Sequence, residues 1–297
     1  MADPLSNNWP APAKLNRFLH IVGQRPDGYH LLQTVFQFLD YCDLLDFQLR
    51  TDGQVILQSP IEGVPTEKNL IFRAAKLLQS HSGSAMGVKI SLEKKLPTGG
   101  GLGGGSSDAA TVLVALNHLW GLDYSHRHLA RLGLELGADV PVFINGKAVW
   151  AEGVGEQFQD IGLDEPWFCV IVPAVNVSTA DIFSDRELTR NTSPITISDF
   201  IGGAGSNDCE ALVAAKYPEI KTVIEWMKRY SDTHSGCIVR TRMTGTGACV
   251  FAGFETEQDA REVQLQIPSG QVAFVAKGLN QSPLLKRLDE EAGKTSG

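Results

Sequence analysis

Apolar and polar positions alternate from Ala13 to Val22, the period of a strand, so Lys14, Asn16 and Phe18 are expected on one face. Arg25-Pro26-Asp27-Gly28 then reads as a turn, with Pro presetting φ and Gly closing it, and Tyr29 and His30 leave it directly. Val35 to Leu49 is again apolar and strand-like, with Asp40, Asp43 and Asp46 interspersed. Three spaced carboxylates can make a cation site, but a solvated strand edge is the preferred reading. Asn69 is placed to cap a helix whose face is Leu70, Ala74, Leu77 and Leu78. Val88, Ile90 and Leu92 alternate in a strand over 87–92. Ala109, Ala110, Val112, Leu113, Leu116 and Leu119 have the period of a buried helix face, with Ser106 or Ser107 as its N-cap and Asp108 in its first turn. A second helix over 125–135 ends at Gly137. Pro141 is expected to hold Val140 extended, and Val142 to Trp150 reads as a hairpin turning at Asn145-Gly146.

Beyond Gly153 and Gly155 the composition shifts, which places a boundary near residue 155 and divides the chain into 1–155 and 156–297. In the second part, strands are expected over 168–173 and 247–253, and helices near 207–216 and 219–230. A length of 297 residues suits two domains of ordinary size. The net charge of −8 argues against a broad nucleic-acid surface. Cys42, Cys169, Cys209, Cys237 and Cys249 are scattered and form no C-x-x-C pair, which points to a reducing compartment and away from a zinc or disulfide framework. No apolar run approaches the ~20 residues of a membrane span, and the N-terminus lacks the order of a secretory signal. A cytoplasmic protein without a membrane partner is expected, its oligomeric state left open.

The stretch PTGGGLGGGSSDAATVL, from Pro97 to Leu113, carries the chemistry. Glycine loses more conformational freedom on ordering than any other residue, so a run this dense needs a reason. A flexible linker would not run straight into a well-formed helix. Successive main-chain amides ahead of a helix N-terminus make a cradle for phosphate oxygens. The P-loop pattern fails because no Lys follows the glycines. A dinucleotide fingerprint is formally present as Gly99, Gly101 and Gly104, with Asp123 about twenty residues on, which keeps an NAD-dependent oxidoreductase as an alternative. Against it, a second helix rather than a strand is expected next, and Asp123 falls in the Gly121-Leu122-Asp123 loop.

A third pattern, P-x-G-x-G-L-G-x-[GS]-S-S-x-[AG], fits Pro97 to Ala109 and resembles the phosphate loop of the GHMP kinases. Ala11-Pro12-Ala13-Lys14-Leu15-Asn16 is similar to that superfamily's first motif, and Arg242-Met243-Thr244-Gly245-Thr246-Gly247-Ala248 to its third. RPDGYH (25–30), GADVP (137–141) and KGLN (277–280) with Ser282-Pro283-Leu284 look like the branch acting on a cytidyl-erythritol diphosphate in non-mevalonate isoprenoid synthesis. Thr244 and Thr246 stand where serines are frequent, and Arg17 where Leu is common.

The resemblance implies an α+β, two-domain GHMP kinase fold: an N-terminal ATP domain like the second domain of ribosomal protein S5, a C-terminal ferredoxin-like α/β sandwich, and the active site in the cleft between them. It implies an ATP-dependent phosphotransferase acting on the 2-hydroxyl of a small-molecule substrate. Phosphoryl transfer asks mainly for positioning, charge stabilisation and a group to accept the hydroxyl proton. By resemblance Asp139 is that base, with Lys14 orienting it and offsetting charge on the transferring group. For Lys14 the alternative is an exposed strand lysine, and for Asp139 a turn or cap residue. The ATP cradle is Pro97, Gly99, Gly100, Gly101, Leu102, Gly103, Gly104, Gly105, Ser106 and Ser107. Mg²⁺ is expected with ATP, no protein-built metal site is evident, and Ser107 is the candidate oxygen. Tyr29 and Phe183 would sandwich the cytosine, His30 would read its edge, and Asn16 would bind the substrate phosphates or the erythritol. His126 and His128, two apart on a helix, do not face each other and read as surface residues. Met243 and Cys249 read as packing residues. The rival functions are a homoserine- or mevalonate-type kinase, which has no use for a base-reading Tyr29-His30, and a non-catalytic binder, which has no use for a Lys-Asp pair.

Overall fold

The computed structural model describes residues 5–59 and 63–295. The first four residues, on which part of the reading of the N-terminus rests, lie outside them. Ten strands join in one sheet: β1 (Leu5–Gln24), β2 (His30–Arg50), β3 (Val55–Leu57), β4 (Gly87–Glu93), β5 (Val149–Glu152), β6 (Gln157–Asp160), β7 (Trp167–Val172), β8 (Cys237–Met243), β9 (Val250–Phe254) and β10 (Val272–Leu279). The order is β3-β4-β2-β10-β7-β9-β8, with β1 and β5 also paired to β2, and β6 to β5. β10 runs antiparallel to β7 through Val272–Lys277, and then Gly278 and Leu279 pair with Leu39 and Phe38 of β2. That strand stitches the two halves of the chain together.

Each half has its own core. Helices Leu70–Ser82, Gly104–Leu119, His126–Leu134 and Val140–Asn145 bury their apolar faces with Trp9, Phe47 and Val88. Helices Glu210–Lys216, Pro218–Thr233 and Glu257–Leu265 do the same with Cys169, Val250 and Phe254. A third cluster, including Leu15, Leu39, Leu102, Phe168 and Phe251, lies where the halves meet. The last helix, Pro283–Thr295, returns to the first core, where Leu284 is fully buried, so the chain after residue 155 is not confined to the second core.

Four local expectations are corrected. Val140–Asn145 is a helix and not the first arm of a hairpin. Pro141 sits in its first turn, where no N–H is needed, and Gly146 ends it at φ 65°. The left-handed glycine that suits a hairpin turn suits a helix C-terminus equally. The long glycine-loop helix starts at Gly104 behind a left-handed Gly103, and neither serine caps it, so Asp108 lies beyond the first turn. The carboxylates of β2 do not sit on a solvated edge, because β2 is central, paired on both sides. Asp43 is fully buried and accepts the Lys95 and Leu96 amides at 2.6 and 2.7 Å. Finally, a register shift between Asn16 and Leu19 breaks the alternation of β1, and Phe18 packs with Val35, Trp150 and Phe200, away from Lys14 and Asn16. Asn69 does cap its helix, accepting the Ile71 amide at 2.9 Å, with the buried face at Ile71, Ala74, Ala75 and Leu78.

Candidate active site

Asp43 fixes where the glycine loop begins. By holding the amides of Lys95 and Leu96 it turns the chain out of β4 and aims Pro97 at the interface of the two halves. The loop then packs backbone to backbone against the second glycine turn and β1: Cys249 N–H donates to Gly100 O at 3.1 Å, and Lys14 N–H of β1 donates to Leu102 O at 3.0 Å. A Cβ on Gly101 would lie 2.2 Å from the Thr244 carbonyl oxygen, and one on Gly103 2.7 Å from the Phe143 ring. Both residues have φ near +75° (76° and 74°), so only glycine fits in space and in conformation. The first helical hydrogen bond runs from Ser107 N–H to Gly103 O, so the amides of Gly104, Gly105 and Ser106 have no acceptor within the helix. All of Pro97–Ser106 lines a cavity of about 980 Å³ except Leu102, which is buried in the inter-half cluster. Ser107 differs from expectation: it is fully buried, does not line the cavity, and its Oγ has no partner.

Lys14 reaches the same cavity from β1 and is 3% exposed. Its Nζ donates to Asn16 Oδ1 at 2.6 Å and Gly101 O at 2.9 Å, and lies 3.3 Å from Asp139 Oδ2. Two of the three ammonium hydrogens are thereby donated, and Asp139 is paired with the ammonium by charge. Asn16 is held in turn: its main-chain N–H donates to Thr244 Oγ1 and its side-chain amide to Thr34 Oγ1, each at 3.0 Å. Asp139, immediately before the helix Val140–Asn145, has a side chain 38% exposed to the cavity. Beside the loop, Lys94 pairs with Asp43 and, at 3.1 Å, with Asp108. Burial, with the Asp43 charge adding to it and Lys94 opposing, raises Asp108 to about 7. Its Oδ1 has no partner.

The other end of the cavity is made of side chains. Gly28 N–H closes the turn onto Arg25 O at 2.9 Å, and Tyr29 stands 63% exposed beyond it. His30 packs on Phe183, their ring centroids 5.0 Å apart at 30°. Phe183 comes from the short helix Thr179–Ser184, whose Thr179 hydroxyl meets that of Thr246 at 2.9 Å. Burial, then the charge of Arg190, lowers the His30 pKa.

All six expected side chains, Lys14, Asn16, Tyr29, His30, Asp139 and Phe183, therefore border one cavity. Sequence reasoning missed Thr34, Lys94 and Arg190, none of which belongs to a matched motif. It read Asn69 only as a cap, although this residue lines the cavity and its buried Nδ2 has no partner. His128 meets His81 Nε2 to Nε2 at 3.0 Å on the surface. Met243 and Cys249 are both fully buried packing residues. Among the described residues no helix is long and apolar enough to cross a membrane. Asp123 lies in a turn between two helices, so no strand carries it to a ribose.

The model of the GHMP kinases N terminal domain matches residues 69–147, and that of the GHMP kinases C terminal matches 186–272. A protein of Shewanella denitrificans named 4-diphosphocytidyl-2-C-methyl-D-erythritol kinase is 55% identical, across 97% of this chain and 99% of its own. One of the same name from Nitrosococcus oceani is 53% identical, across 95% and 98%. A crystal structure of 4-(cytidine 5'-diphospho)-2C-methyl-D-erythritol kinase superposes with a TM-score of 0.78 at 31% identity, covering 93% of this chain and 99% of that one. Homoserine kinase from Cytophaga hutchinsonii, at 18% identity and a TM-score of 0.63, shares the fold.

Proposed function

The chain belongs to the GHMP kinases, and from that premise we propose that it transfers the terminal phosphoryl group of ATP to the 2-hydroxyl of 4-diphosphocytidyl-2-C-methyl-D-erythritol. The observation that carries the chemistry is the Lys14–Asp139 pair at 3.3 Å, set beside a glycine loop with free amides in one cavity. Those amides bind the phosphate tail. Lys14, donating to Asn16 and Gly101 and ion-paired with Asp139, acts as a fixed positive charge beside the transferring group. Lys14 holds Oδ2 of Asp139, which leaves Oδ1 to take the hydroxyl proton as the new O–P bond forms and the bond to the ADP oxygen breaks. Asp139 then releases the proton to solvent, to which it is open. Mg²⁺ bound with ATP supplies charge neutralisation, and the Ser106 hydroxyl and the unpartnered Oδ1 of Asp108 are hard oxygens suited to hold it. At the far end Tyr29 and Phe183 sandwich the cytosine, His30 reads its edge, and Asn16 contacts the substrate's phosphates or erythritol.

A coupled ADP-release assay tests this, run with the cytidyl-erythritol substrate beside mevalonate and homoserine. Turnover is expected with the first and not the other two. Equal or better turnover of mevalonate or homoserine would contradict the substrate assignment.

A further inference from the structure

The last turn of helix Leu70–Ser82 and the first turn of helix His126–Leu134 meet at the surface through two histidines 47 residues apart in the chain. His81 Nε2 lies 3.0 Å from His128 Nε2, so two ring nitrogens point at one another and share one hydrogen. Tyr124 holds them there: its ring stacks on His128 at 4.4 Å and 25°, and meets His81 edge-on at 6.0 Å and 72°. Ser125 Oγ accepts the main-chain N–H of His128 at 3.3 Å, which fixes the start of that helix. Desolvation, then His81 and Arg131, lowers the His128 pKa, which keeps a nitrogen lone pair available at neutral pH. None of these residues lines the phosphoryl-transfer cavity.

We propose that His81 and His128 are the two protein ligands of a surface site for a divalent transition metal of the zinc, nickel or copper kind, which fastens the two helices together. Imidazole nitrogens suit those ions and not Mg²⁺, which takes oxygen ligands. At metal–nitrogen lengths of about 2.0–2.1 Å, two nitrogens on one ion stand roughly 2.9 Å apart at a right angle and roughly 3.4 Å apart at the tetrahedral angle. The observed 3.0 Å lies between those values, so small ring movements admit the ion. It takes the place of the hydrogen between the rings, and that hydrogen moves through solvent to Nδ1 of the same ring. Neither Nδ1 bonds another of the described residues, so both are open to carry it. Water completes the coordination. Among the described residues a second group, His234, Asp259 and Glu262, brings three ligand atoms within 4.8 Å. It is less suited, because His234 Nδ1 accepts the Gly236 N–H at 3.2 Å, which keeps the ring hydrogen on Nε2, the nitrogen facing Asp259.

Isothermal titration of the chelator-treated full chain with Zn²⁺ tests this, alongside His81→Asn, His128→Asn and, as a control, His234→Asn. Two of the four ligands of a structural zinc site supply roughly half its binding free energy, so a Kd of about 1–200 µM is expected for the wild type. His81→Asn and His128→Asn should each weaken binding by about tenfold or more, and His234→Asn by less than about twofold. Mg²⁺ should give the wild type no more heat than it gives His81→Asn. Thermal denaturation supplies a second readout: Zn²⁺ at about ten times Kd should raise the wild-type melting temperature by on the order of 2–4 °C and leave both helix variants unmoved. A wild type that binds no Zn²⁺ in that range overturns the inference. So do helix variants that bind it as tightly as the wild type, or a loss confined to His234→Asn. If a helix variant does not fold, ¹⁵N NMR of the wild-type imidazoles decides. The Nε2 signals of His81 and His128 should shift together on adding Zn²⁺, and rings that do not respond contradict it.

Discussion

At one end of the cavity Lys14 and Asn16 are 3% and 4% exposed, tied to a main-chain oxygen of one glycine loop and a threonine hydroxyl of the other; at the other end, Tyr29 is 63% exposed on a turn. The proposed transfer end is made of backbone and of side chains anchored in the cores, and the role proposed for it is to position. The base end is made of side chains on a turn and a short helix, where the local packing can yield without unfolding a core. Substitutions should sort accordingly, with losses of turnover or stability at the first and losses of affinity and selectivity at the second.

The largest effect expected is from Asp139→Asn, which keeps the shape and removes the proposed proton acceptor. Turnover should fall on the order of 10²- to 10⁴-fold with an unchanged melting temperature, read by single-turnover kinetics and thermal denaturation. Next is Gly101→Ala, whose Cβ would meet the Thr244 carbonyl oxygen at 2.2 Å on a left-handed backbone. Separating the two loops should cost roughly 2–4 kcal/mol in urea unfolding and raise the KM for ATP. A Gly101→Ala protein as stable as the wild type would mean that the loops are not held together as described. At the base end, Tyr29→Ala should cost about 1–3 kcal/mol of substrate binding, seen as a KM increase, with little change in turnover or melting temperature. A fall in kcat alone would remove Tyr29 from the binding jaw.

The smallest effect concerns the charges behind the loop. Asp108, fully buried beside Asp43 and Lys94, is raised to about 7, above its ordinary carboxylate value of 3.8. Between those values the folded protein keeps a proton that the unfolded chain has lost, so stability falls as pH rises from about 4 to 7. Asp108→Asn should flatten that slope. At pH 8 it should be more stable than the wild type, read as a higher melting temperature, and at pH 4 nearly equal to it. Identical pH profiles for the two proteins would place the proton elsewhere.

The transfer end was largely legible because it is encoded locally: a strand bearing Lys14 and Asn16, a glycine run, a helix behind it, and Asp139 beside a short apolar stretch. Where that local encoding is ambiguous, the reading failed. Val140 to Ile144 are all buried, so no periodicity separates helix from strand, and only packing against the helices at Gly104–Leu119 and His126–Leu134 decides. Asp43 looked like a surface carboxylate because its partners, the amides of Lys95 and Leu96, lie some fifty residues later. The base end was half legible. RPDGYH presents Tyr29 and His30 together, but Arg190 stands in a polar stretch with no period or motif, and its meaning appears only when the fold brings it to His30.

The most direct test of the central claim is a crystal structure of the ternary complex with an unhydrolysable ATP analogue and the cytidyl-erythritol substrate. The triphosphate should lie on the amides of Gly99–Ser106, with the substrate's 2-hydroxyl within about 3 Å of Asp139 Oδ1. A triphosphate bound away from those amides, or a hydroxyl facing some group other than Asp139, would contradict it.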